Sequence, residues 1–177
     1  GASWAILLGL AFVWLVTSAL RIRDWKDTTT LISKAIAATG DNFGKAYLRR
    51  GMAYGKASDA PKAIEDFSLA IQKNPLLHEA YKFRGNIYGV KKNYEQSVND
   101  LTKFLEVYPD EVPELYNLGL SYANLERNTE SIADFTRALE LDSTFARVYR
   151  ARGNCYKKIG ETAKGEADLQ KYESMPK

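Results

Sequence analysis

Tyr47-Leu-Arg-Arg-Gly-Met-Ala-Tyr54, Tyr81-Lys-Phe-Arg-Gly-Asn-Ile-Tyr88 and Tyr149-Arg-Ala-Arg-Gly-Asn-Cys-Tyr156 are versions of one octapeptide, separated by multiples of 34 residues. Leu115 to Tyr122 occupies the slot they leave open. On this register the units begin at Gly44, His78, Val112 and Ala146 and divide the chain into 44–77, 78–111, 112–145 and 146–177. The eighth position is Gly51, Gly85, Gly119 and Gly153, and the eleventh is Tyr54, Tyr88, Tyr122 and Tyr156. Position 20 is small throughout (Ala63, Ser97, Ser131, Gly165), and position 24 is large and apolar (Phe67, Leu101, Phe135, Leu169). Position 27 holds Ala70, Phe104, Ala138 and Tyr172. A glycine facing a small residue lets two helices approach closely, while the position-24 side chains fill the space beside them. Pro75 and Pro109 cannot continue a helix and punctuate the second helix of their units. A helix pair of this length cannot bury its apolar face alone, so stacked copies must supply the core.

The period and these signature positions resemble the tetratricopeptide repeat family over residues 44–177. The resemblance implies an all-α, right-handed solenoid of antiparallel pairs, each with a first helix A and a second helix B. Upstream, residues 21–43 read as a juxtamembrane segment followed by a degenerate half repeat. There Trp25 to Thr39 forms a lone B helix, Ile32 and Ala35 take positions 24 and 27, and one extra residue precedes Gly44.

None of the 25 Lys and Arg or 22 Asp and Glu residues falls in the first 20 positions. Twenty helical residues span about 30 Å, the thickness of a bilayer's hydrocarbon core. Residues 1–20 therefore read as a transmembrane helix, with Trp4, Leu7, Phe12, Trp14 and Leu15 facing lipid and the chain located at a membrane by this single pass. A signal peptide would carry a basic start, and no charge precedes Ile6. Arg21, Arg23 and Lys26 flank the span on one side, which taken alone puts the repeats in the cytoplasm; spans preceding Gly1 would void that inference. Ala5 and Gly9 form a small-xxx-small pair, a weak signal for pairing of two chains through the membrane, and the oligomeric state stays open. The 45% hydrophobic content is too high for a disordered chain, and the single cysteine precludes an intrachain disulfide.

The residues assemble no enzyme constellation. His78, the one histidine, opens a helix and is expected in solvent; Cys155 reads as a small core residue; the glycines serve the period rather than a phosphate loop. No cofactor, metal site or catalytic residue is expected. The net charge of +3 and the acidic B helices argue against nucleic acid.

What the family resemblance does imply is a concave surface on the A helices that binds a protein or peptide. Its residues here are Lys82, Phe83 and Asn86, then Tyr116 and Asn117, then Arg147, Arg150 and Asn154. Lys45, Leu48, Arg49 and Met52 extend it toward the first unit. Aromatic, amide and basic groups suit an extended peptide bearing carboxylates. Repeat three holds two basic and six acidic residues and repeat four eight and four, so the surface ends in a basic patch. Some co-chaperones of the family clamp a free C-terminal carboxylate with five residues. Lys82, Asn86, Asn117 and Arg147 fall on four of those five positions, with Ala151 on the fifth, and ordinary consensus residues account for them more simply.

The expectation is thus a membrane-anchored scaffold, not an enzyme. A rival reading takes the order apolar span, Arg21-Ile-Arg-Asp-Trp25, then Arg-Gly-Asn-rich repeats. That order looks like the tail of multispan, glycosyltransferase-like membrane proteins, whose catalytic part would lie outside this chain.

Overall fold

In a computed structural model the described residues are 28–37 and 44–176, and every regular element among them is an α-helix. Helix α1 covers residues 28–37. It is followed by α2 (Gly44–Lys56), α3 (Ala60–Lys73), α4 (His78–Val90) and α5 (Tyr94–Leu105). Next come α6 (Val112–Asn124), α7 (Asn128–Leu141), α8 (Ala146–Lys158) and α9 (Thr162–Ser174). The chain divides into two compact units, one ending at Leu77 and the other beginning at His78. The expected transmembrane segment with Trp4, Leu7, Phe12, Trp14 and Leu15 lies outside the described residues. Among the described residues no helix is long and apolar enough to cross a membrane.

The turn inside each helix pair repeats one piece of backbone geometry. Ser58, Lys92 and Glu126 have φ of 61, 63 and 62°, and Gly160 has 85°. The next amide, of Asp59, Asn93, Arg127 or Glu161, donates to the carbonyl of the tyrosine at position 11, at 2.9 Å in every copy. This is a left-handed C-terminal stop, which satisfies carbonyls that the helix leaves open. Only Gly160 meets the left-handed requirement without a steric penalty.

In the first unit α2 packs on α3. Phe67 is buried, and a Cβ added at Gly51 would lie 2.8 Å from its ring, so glycine sets how closely the helices approach. α1 adds Ser33, whose Oγ accepts from Arg50 Nη1 at 3.0 Å.

In the second unit α4–α5, α6–α7 and α8–α9 form three hairpins, with α5 against α6 and α7 against α8. Leu101, Phe135 and Val148 are fully buried; each such side chain contributes about 1.5–3 kcal/mol. A Cβ at Gly119 would come within 2.6 Å of the Phe135 ring. The small position-20 residues also carry polar seams between repeats. Ser97 Oγ lies 2.9 Å from Ser121 Oγ, and Ser131 Oγ donates to the Gly119 carbonyl at 2.8 Å with Cys155 Sγ 3.4 Å away. Cys155 is buried, as a small core residue should be. His78 departs from the solvated position expected of it: its ring stacks on Tyr81 and meets Tyr108 edge-on, with centroids 6.5 and 6.2 Å away.

Candidate protein-binding face

All eight candidate residues fall on the A helices of the second unit, where α6 touches both α4 and α8. They do not form one site of like character. On α4 and α6 the polar groups are already engaged. Asn86 Nδ2 donates to Glu114 Oε1 at 3.4 Å, and Asn117 Nδ2 donates to Asn86 Oδ1 at 3.0 Å. Glu114 is 7% exposed and terminates this chain of amides, a role its sequence position does not announce. Lys82 lies one turn before Asn86, its Nζ 4.9 Å from the centre of the Phe104 ring and 5.5 Å from that of Phe83. Contact with the π faces holds the ammonium over the helix pair. Tyr116 packs its ring on Phe135 and Phe145, at 5.9 and 5.2 Å between centroids.

On α8 the groups stand open. Arg147, Arg150 and Asn154 are exposed, as are Lys157 and Lys158 at the end of the same helix. Arg150 rests over the Tyr172 ring at 5.3 Å, which orients the guanidinium without neutralising it. Arg147 is exposed and has no ion pair among the described residues. The structure therefore ties Asn86 and Asn117 to each other and to Glu114, and leaves the cations of α8 exposed. In the first unit Lys45, Arg49 and Met52 are exposed on α2.

A second set of charges is built into the helix pairs, and sequence reasoning passes over it. Arg50 binds Asp66 through Nε and Nη2 at 2.8 and 2.7 Å. Arg84 binds Asp100 the same way at 2.7 and 2.8 Å, and Arg152 binds Asp168 at 2.7 and 2.8 Å. Each guanidinium lies between the tyrosines of positions 4 and 11. Arg84 is 5.9 Å from both Tyr81 and Tyr88, and Arg50 and Arg152 are similarly placed. The hydrogen bonds to these carboxylates raise all three arginines further above their ordinary value, against the opposing effect of burial. These arginines hold the helix pairs together and are not free for a ligand. The signal was an arginine at position 7 and an aspartate at position 23, always 16 residues apart. Repeat three breaks it, with Leu118 at position 7 and Asp134 at position 23. The third donor of Arg152 reaches Thr136 Oγ1 at 3.1 Å, on the preceding B helix. Arg50 uses the same donor on Ser33 of α1, so α1 stands to α2 as α7 stands to α8.

Comparison with known proteins agrees with this architecture. The tetratricopeptide repeat family model matches residues 112–145. Human superkiller complex protein 3 is 23% identical over 135 residues, covering 76% of this chain and 8% of that protein. Mouse DnaJ homolog subfamily C member 7 is 29% identical, covering 59% and 20%. Human tetratricopeptide repeat protein 13 is 33% identical, covering 62% and 13%. The chain thus spans a fifth or less of each of these relatives. Among solved structures, MamA from Desulfovibrio magneticus RS-1 superposes with a TM-score of 0.79 at 17% identity, covering 90% of this chain and 89% of that one. A MamA AMB-1 structure gives 0.78 at 22%, covering 85% and 81%. The matches support the tetratricopeptide repeat family, and the likeness to MamA shows the all-helical fold.

Proposed function

We propose that this chain is a protein-interaction scaffold that binds an acidic, extended segment of a partner along the A helices of its second unit. The observation that carries the reading is the contrast between α4–α6 and α8. Asn86 and Asn117 are spent on each other and on Glu114, whereas Arg147 and Arg150 are exposed and have no carboxylate partner among the described residues. Carboxylates of the partner would therefore engage α8, with its apolar side chains against Phe83 and Tyr116. Asn154 supplies an amide for the partner's backbone. Such binding weakens with salt, because the pairing charges are in solvent.

The test is titration of a fluorescent Glu-rich peptide into the chain, once with a free C-terminal carboxylate and once amidated. Loss of one charge-assisted contact in Arg150→Ala or Arg147→Ala should weaken binding roughly tenfold. Wild-type affinity in both substituted chains would refute the α8 site. Equal binding of the two peptides would dismiss a terminal carboxylate clamp and leave a side-chain carboxylate mode.

The proposal extends to a membrane anchor at residues 1–20, supported by the absence of any charge there. Removing those residues should release the remaining chain from membranes during a carbonate wash. Continued pelleting would count against the anchor.

A further inference from the structure

Three of the four helix pairs neutralise an aspartate on helix B with an arginine on helix A, and the pair α6–α7 does not. Leu118 stands where the arginine would be, 5% exposed, and Asp134 remains on α7 with its Oδ2 buried and without a hydrogen-bond partner. Among the described residues no cation pairs with Asp134. On α7 itself Glu130 adds a like charge and is held by Arg127, while Arg137 is bound to Asp110 and Glu140. On α6 the one charged residue is Glu114, bonded to Asn86. That helix's two tyrosines are occupied as well: Tyr116 packs on Phe135 and Phe145, and Tyr122 lies under Arg127. From α8, Arg152 is committed to Asp168 and Thr136 and is flanked by Tyr149 and Tyr156, and Arg150 covers Tyr172. Cys155 faces Ser131, and Arg147, Lys157 and Lys158 are exposed and form no ion pair with Asp134.

We propose that Asp134 is a proton-controlled weak point of the solenoid: α6 and α7 close tightly on the neutral carboxyl, and its ionisation loosens this one pair while the arginine-neutralised pairs stay closed. Burial first, and then the charge of Glu130, push Asp134 from 3.8 up to about 7. The folded chain then keeps a proton that the unfolded chain gives up. The contribution of Asp134 to stability is full below about 4, falls as pH rises toward about 7, and stays low above that. One proton makes the folded-to-unfolded ratio drop by up to about tenfold per pH unit inside that window. The sensitive range reaches neutrality, where an ordinary aspartate no longer responds.

Three measurements on the full chain test this. Carbon NMR of labelled aspartate should show the Asp134 carboxyl titrating near neutrality. Denaturant unfolding at about pH 5 and about pH 8 should show a lower midpoint at the higher pH, and Asp134→Asn should lose most of that difference. At a single pH of about 8, Asp134→Asn should slow amide exchange in α6 and α7 about tenfold and change α8 and α9 much less. A wild-type Asp134 carboxyl titrating below about pH 5 would overturn the proposal without reference to any variant. So would an Asn form that keeps the wild-type pH dependence, or an exchange change spread evenly over all four helices.

Discussion

Replacing Arg84 by leucine would give repeat two the arrangement that repeat three already has. Asp100 is 4% exposed, and both its carboxylate oxygens are bound by the Arg84 guanidinium, at 2.7 and 2.8 Å. The pair's net contribution is modest, because the attraction is offset by the desolvation of both charges. Removing one partner is a different matter. The remaining carboxylate stays buried without compensation, and breaking such a pair costs about 3–5 kcal/mol. The leucine side chain recovers part of this by covering Tyr81 and Tyr88, so a loss of about 3 kcal/mol is expected. Asp100→Asn alone should cost less, about 1–2 kcal/mol, because Arg84 keeps access to water and an amide oxygen. Urea unfolding at neutral pH of the two single variants and the double variant measures the coupling. The double variant should be more stable than the sum of the singles implies, by roughly 1.5–3 kcal/mol. A loss below about 1 kcal/mol for Arg84→Leu, or additive losses, would refute the view that these pairs are desolvated and mutually dependent.

Three further outcomes follow from the same geometry. Leu118→Arg should supply Asp134 with its missing partner, because Thr102 and Tyr122 already occupy the positions of Thr136 and Tyr156 around Arg152. The Asp134 carboxyl should then titrate well below neutrality by NMR, and the fall in stability between about pH 5 and about pH 8 should shrink. Lys92→Gly should raise stability by about 0.5–1 kcal/mol in urea unfolding, since φ at Lys92 is 63° and lysine is strained there. Gly119→Ala should cost about 1–3 kcal/mol, because the new methyl would sit 2.6 Å from the Phe135 ring, and adding Phe135→Leu should return part of the loss.

The helical period was open to reading because each of its signatures states a requirement of one position. Gly119 must be glycine since a ring lies against it, Ser131 must be small, and Phe135 must fill the gap; the same three demands recur wherever a pair packs. The engagements of Asn86, Asn117 and Glu114 were not open in this way. Each of those residues reads as surface or consensus when taken alone, and the amide chain exists only once α4 and α6 lie side by side. Sequence alone therefore lists Asn86 and Asn117 beside Arg147 as equivalent ligands, whereas in the fold the asparagines are bonded to each other and Arg147 is exposed.

The charged residues divide the two levels most clearly. Composition and period by themselves determine that the chain repeats a helix pair, where each unit begins, and that its first 20 residues carry no charge. Whether a charge is buried and whether it has a partner depends on two side chains and the solvent between them, and only tertiary structure decides that. It makes Arg50, Arg84 and Arg152 internal fasteners, leaves Arg147 and Arg150 exposed, and isolates Asp134 where Leu118 has replaced the cation.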